Sequence, residues 1–277
     1  MQPSSSAPSV ANFKAQALTE DDLRTVAPSV FSPTPMAGLS SRYTFVPTSE
    51  VVGALGDRGW VPVEVQQQRV RLEARWGFQK HLVRFRRVEQ MRTLDEWNAE
   101  LVLINSHDAL SAYVLRVGTF RRICSNGLVV SDRTFEAIRF RHAGLTTDQV
   151  VEASHRIVEG VPRIAAQIDA FRNRFLTDSE AHRFTVDALA LRYGKPDHAP
   201  VEARTLLQVR RPEDAATDLW TTYNRVQENL VRGGLSDSRR DRRGHLRTLR
   251  ALRGIDSRVS LNTDLWSLAD RVAAQQN

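Results

Sequence analysis

Cys124 is the only cysteine in the 277 residues. A single thiol excludes an intrachain disulfide, rules out zinc ribbons and fingers, and suits a reducing cytoplasm. Lysine is scarce as well: of 39 Lys and Arg residues, only Lys14, Lys80 and Lys195 are lysines. No apolar run approaches the roughly 18 residues that mark a transmembrane helix. The opening MQPSSSAPSVANFKAQALTEDD lacks the basic-then-apolar order of a signal peptide. GxxxxGK[ST], GxGxxG and HExxH are all missing, so no nucleotide, dinucleotide or zinc-protease site is encoded in those forms. The seven histidines follow no ligand spacing. These absences lead us to expect a cytoplasmic protein with no membrane partner, no metal, no cofactor and no catalytic residue.

What the chain does have is arginine. Net charge is +7, carried almost wholly by guanidinium groups, which contact phosphates in planar, bidentate fashion and stack on bases. A basic balance of this kind favours a polyanionic partner.

Residues 1–40, rich in Ser, Pro, Ala and Thr, read as a flexible arm with a short helix near Asp21–Val26. From about residue 41 to 145 the pattern is a helix followed by an antiparallel meander. Thr48 or Ser49 caps the helix, Val51, Val52 and Leu55 give its apolar side, and Gly56 and Gly59 end it. Alternating stretches then predict strands at Val61–Leu72, Lys80–Val88, Glu100–Ser106, Ser111–Val117 and Arg133–Gly144. Ser125-Asn126-Gly127 signals a tight turn, with Cys124 a buried small residue entering it. Beyond 145 the period changes. Val150, Ile157, Val161, Ile164, Ile168, Phe171 and Phe175 fall at spacings of three and four, predicting one long helix kinked near Gly160 and Pro162. Helices are expected at Ser179–Tyr193, Pro212–Val231 and from Asn262 or Thr263 onward, with a basic loop over 232–253. The fold class is therefore α+β: an antiparallel meander packed on a long helix, followed by a helical C-terminal half.

Two groups of arginines are candidate nucleic-acid contacts. Arg84 and Arg86 share one face of their strand, as do Arg139 and Arg141 on theirs, and Arg116 stands opposite Leu115 and Val117. A sheet face bearing all five would be exposed and electropositive, and reversing its charges would barely alter the melting temperature. The second group, Arg239, Arg240, Arg242 and Arg243, lies in the basic run, where only Asp237 and Asp241 oppose the charge. Asn105-Ser106-His107-Asp108 invites an acid–base reading. Neighbours on a strand face opposite ways, however, so turn-forming or surface polar residues are the favoured account. Trp220, Tyr223 and Trp266 stand at helical spacings suited to a core.

The phrases RYTFVPTSEVVGALGDRGWVPV, INSHDALSAYVLRVGTFRRICSNGLVV, LWTTYNRVQENLVRGG and RGIDSRVSLNTDLWSLA resemble the phage- and plasmid-like family called domain of unknown function 932. The likeness runs from about Arg42 to the C-terminus. Where that family usually has glycine after the HD pair, this chain has Ala109. The resemblance implies the company of mobile elements and DNA metabolism and carries over no catalytic residue. Leu55-Gly56-Asp57-Arg58-Gly59-Trp60, with the order of elements, is similar to the Rad-fifty-two type of single-strand annealing protein. That likeness implies a homo-oligomer with a basic groove for single-stranded DNA. The leading expectation is a sequence-independent, single-stranded DNA-binding protein serving recombination or annealing. The alternatives are a DNA-processing enzyme such as a nuclease, using His107 and Asp108, or a phage-encoded protein-interaction factor.

Overall fold

A computed structural model describes residues 16–91, 97–121 and 137–275. The fold is α+β. Contacts divide the chain into two compact units, one built mainly from residues up to His155 and the other from Arg156 onward.

In the first unit, α1 (Glu20–Val26) begins with a capping box. Thr19 Oγ1 accepts from Asp22 N–H, and the Asp22 carboxylate accepts from Thr19 N–H. The expected arm over 1–40 is thus built into the fold from residue 16: Leu23, Ala27 and Val30 are buried, and Leu18 N–H donates to Pro62 O at 2.7 Å. The next helix, α2 (Thr48–Gly56), has Pro47 at its N-cap and no side-chain cap. Thr48 is the first helical residue, and its hydroxyl is engaged elsewhere.

Five strands follow: β1 (Trp60–Gln67), β2 (His81–Arg87), β3 (Trp97–Asn105), β4 (Tyr113–Arg121) and β5 (Ile138–Phe140). They pair in chain order, β1-β2-β3-β4-β5, which is the expected antiparallel meander. The strand expected over Val61–Leu72 ends at Gln67, because residues 68–80 leave the sheet. Of the strand expected over Arg133–Gly144, the part before 137 lies outside the described residues, as do Cys124 and the Ser125–Gly127 turn. Register sets the two faces. Val65 pairs with Val83, Val83 with Leu103 and Phe85 with Leu101, stacking apolar side chains on one face. There α2 lies against them through Val51 and Leu55, both fully buried.

The expected long helix is two helices, α3 (Thr147–Glu159) and α4 (Val161–Asn173). Pro162, in the first turn of α4, has no N–H to give and crowds the preceding turn, so the ladder breaks at Gly160. The second unit continues with α5 (Asp178–Tyr193), α6 (Leu219–Arg232) and α7 (Ile255–Ala274). The closing helix thus starts seven residues before the expected cap, and Asn262 is buried inside it, accepting from Gln227 Nε2 at 3.0 Å. Trp220, Tyr223, Trp266 and Phe171 form one aromatic cluster, with ring centroids 5.1–6.4 Å apart. These residues are core, as their spacing suggested. Along α6, Asn229 is buried and bonds the 206–210 segment, while the buried Glu228 pairs with Arg211 and Arg232.

The basic run, expected as a loop, contains a hairpin of β6 (Ser236–Arg240) and β7 (Leu246–Thr248). It follows Gly233, whose φ of +66° and closeness to the backbone admit no side chain: a Cβ there would lie 2.5 Å from Leu249 O.

Candidate functional site

Arg84, Arg86, Arg116 and Arg139 do share a face of the sheet, and Arg141 lies just beyond the end of β5. Arg84 pairs across β1 with Glu64, Val114 pairs with Arg139, and the Arg84 guanidinium lies 3.4 Å over the Phe120 ring. Phe120 and Arg116 lie on the same face of β4 as Val114.

Exposure differs from the expectation. Arg84 and Arg86 are buried, at 9% and 6% relative exposure. Glu100, whose side chain is fully buried, accepts from Arg84 Nε at 2.7 Å and from Arg86 Nη2 at 2.5 Å, and Glu64 pairs with Arg84 as well. Two carboxylates therefore neutralise two guanidiniums, and neither arginine is a solvent-facing charge. Glu64 and Glu100 sit at strand positions whose parity matches Arg84, and that was their signal in the sequence. Arg116 is half-buried, and Arg139 and Arg141 are exposed. Burial, with the nearby Arg139 charge, lowers the pKa of Arg116.

At one end of the sheet lies a polar cluster that sequence reading set aside. Asn105, Ser106, His107 and Asp108 are all buried, so they are not surface polar residues. Thr48 organises them. His81 Nδ1 lies 2.9 Å from Ser29 Oγ and 3.1 Å from Gln79 O, and His81 Nε2 lies 2.9 Å from Thr48 Oγ1. Thr48 Oγ1 also accepts from Asn105 Nδ2 at 3.0 Å and lies 3.4 Å from His107 Nε2. The His81 and His107 rings lie 5.3 Å apart, and His142 stacks on Tyr43. Burial pushes the imidazoles down, His81 to about 3 and His107 to about 4, and lowers His142 as well. Burial also pushes the Tyr43 hydroxyl up to about 12.

His107 and Asp108 point to different partners and make no dyad. Asp108 accepts from Arg75 Nη2 at 2.6 Å and Nε at 3.0 Å, and from Leu110 N–H. Burial would raise this carboxyl, but hydrogen bonds from Ser106, Arg75 and Leu110 hold it below its ordinary value. Among the described residues, no three or more His, Cys, Asp or Glu side chains are grouped to hold a metal, and no helix is long and apolar enough to cross a membrane.

Asp108 is followed by a strained residue. Ala109 has a φ of +59°, the one positive value found at a non-glycine among the described residues. Ala109→Gly is expected to stabilise the protein by about 1 kcal/mol. The check is the melting temperature, and a decrease would show that alanine fits this turn without strain.

In the second unit the candidate arginines gather on the hairpin. Asp241 O accepts from Gly244 N–H at 3.0 Å, closing a four-residue turn with Arg242 and Arg243 at its centre and Gly244 at φ +80°. The Asp241 carboxylate accepts from His245 and Arg243 N–H, and these bonds, that from His245 foremost, hold its pKa below the usual range. Arg239 donates to Ala199 O and Arg240 to Gly244 O. Arg242 and Arg243 are exposed, and among the described residues their side chains have no ion pair.

Residues 35–266 match the family described as Domain of unknown function (DUF932). The chain belongs to this family. Two relatives from Escherichia coli (strain K12), UPF0380 protein YafZ and UPF0380 protein YfjQ, are each 38% identical to it over 258 residues. Those alignments cover 93% of this chain and 92% of each relative. No solved structure matches it. The buried Asn105–Asp108 loop, Gly233 and the hairpin all fall inside the DUF932 region.

Proposed function

We propose that this DUF932 protein binds nucleic acid without regard to sequence, single-stranded DNA being the preferred form, and that it does so as a homo-oligomer in recombination or strand annealing. One observation carries the reading. Several arginines elsewhere are neutralised by carboxylates, as at Arg75, Arg84, Arg86, Arg174 and Arg211. The β6–β7 turn instead holds Arg242 and Arg243 out, exposed and without an acidic partner among the described residues. Asp241 spends its lone pairs on the turn's own N–H groups and on His245. Two adjacent guanidiniums on a short, braced turn suit backbone phosphates, which need charge and reach but no base-edge register. Arg116, Arg139 and Arg141 supply a further cationic strip in the first unit.

The test is fluorescence anisotropy with a labelled oligo-dT strand over a salt series. Arg242→Glu/Arg243→Glu should weaken binding for every sequence alike and flatten the log–log salt slope by about 0.7 per lost contact. Unchanged affinity and slope in the folded variant would remove the hairpin from the interface.

A further inference from the structure

We propose that the connection between β1 and β2 is a stacking site for an unpaired nucleobase, with Trp76 as the platform and Arg69 and Arg71 as contacts for the flanking phosphates. The inference rests on the nucleic-acid reading above and specifies single strands as the ligand of a distinct site in the first unit.

The placement of Trp76 is the first observation. Trp60, Trp220 and Trp266 are buried at 4%, 2% and 0% relative exposure, whereas Trp76 is 56% exposed. Nor is the loop slack. Trp76 N–H donates to Glu73 O at 2.8 Å, Phe78 N–H to Arg75 O at 3.1 Å, and Gly77 N–H to Gln79 Oε1 at 2.7 Å. Arg75 is clamped to the buried Asp108, and His107 N–H donates to Phe78 O at 3.0 Å. The backbone on both sides of the indole is therefore tied to the β3–β4 connection, and the ring is presented from a fixed base. A preorganised aromatic loses little freedom when a base stacks on it.

Charge decides the kind of occupant. Residues 68–80 contain Arg69, Arg71, Arg75 and Lys80 against a single acid, Glu73. Arg75 is committed to Asp108. Arg69 and Arg71 are exposed, and their side chains make no ion pair among the described residues. Antiparallel pairing brings the end of β5 to the same end of the sheet, since Phe140 pairs with Tyr113, and this adds Arg141. Exposed Leu72 and Leu110 lie on the two connections that the Arg75–Asp108 pair joins. An aromatic surface set among cations matches a polyanion that offers flat apolar faces. Unpaired strands offer such faces, and duplexes hide them in the stack.

The experiment compares oligo-dT with a hairpin duplex of the same length by anisotropy, using the full chain. Trp76→Ala should weaken oligo-dT binding by about tenfold or more while leaving the salt slope unchanged. Trp76→Phe should recover most of the loss, and duplex affinity should not move in either variant. Equal oligo-dT affinity in Trp76→Ala and the parent would overturn the stacking site, as would an equal loss on the duplex. A change in the sedimentation of Trp76→Ala without nucleic acid would also overturn it, assigning the indole to a protein contact. If Arg242→Glu/Arg243→Glu weakens binding while Trp76→Ala does not, this inference fails and the general reading stands. If the parent protein binds neither probe, both fall.

Discussion

Replacing Glu100 by alanine is expected to cost about 3–5 kcal/mol of stability, the range found when one member of a buried ion pair is removed. The Glu100 side chain is fully buried between Arg84 and Arg86, whose own side chains are 11% and 8% exposed. Alanine would leave Arg86 without a carboxylate and Arg84 with Glu64 alone. The desolvation of Arg86 is then no longer offset by a carboxylate, and that of Arg84 is offset only by Glu64. A loss of this size approaches the whole stability of many domains. Glu100→Gln is expected to do less harm, because the amide oxygen still accepts one hydrogen bond. Arg84→Glu/Arg86→Glu should be among the worst changes available, placing new carboxylates beside Glu64 and Glu100. The expectation that such a reversal leaves melting unchanged therefore gives way to one of unfolding. Urea denaturation of Glu100→Ala and Glu100→Gln checks this, and a loss below about 1 kcal/mol in the alanine variant would show the network to be dispensable.

Acid should weaken the protein well above the range in which carboxylates titrate. His81 and His107 are fully buried, with pKa values pushed down to about 3 and about 4, whereas an unfolded histidine titrates near 6.5. Folding therefore favours the neutral rings. The stability they contribute is fully present above about pH 6.5 and falls as the unfolded state takes up protons that the folded state refuses. Two such groups give a slope of up to about 2.7 kcal/mol per pH unit between roughly pH 6 and 4. His142, also lowered, acts in the same direction. The charged neighbour facing this cluster, Asp108, pulls the other way and is itself held by Arg75. Denaturant midpoints at pH 7.5, 6 and 5 read the effect directly. A stability curve flat down to pH 5 would mean that the cluster opens to water before it charges.

How much of this was legible beforehand depends on the range of each interaction. The strands cored by Val83, Phe85, Leu101 and Leu103 could be read because alternation is a local property, and the aromatic cluster of α6 and α7 because helical spacing is local too. The shared face of Arg84, Arg86, Arg116 and Arg139 follows from the same alternation. The burial of Arg84 and Arg86 does not, because exposure depends on what packs above a sheet and on the cross-strand carboxylates Glu64 and Glu100. His81, Thr48 and Asn105 lie 24 or more residues apart in sequence, and only the sheet register with the approach of α2 brings them together. The long helix expected to kink near Gly160 and Pro162 is interrupted at that place, and the local signal Gly160-Val-Pro162 breaks it into two helices where the apolar stripe alone suggests a bend. Trp76 carries no local signal of its own, because an exposed tryptophan differs from a core one only once the fold is known.

Thr48 has one further consequence, for how the sequence can change over time. Its hydroxyl accepts from Asn105 and meets the Nε2 atoms of both His81 and His107, and its one proton can serve only one of the two rings. The two imidazoles are thereby fixed in opposite tautomers. Valine at 48 would keep the shape yet remove the hydroxyl that His81, His107 and Asn105 all share. Such a replacement is harmful by itself and becomes tolerable once 81, 105 and 107 have ceased to need it. Four positions scattered over sixty residues of sequence are thus bound to drift together or not at all.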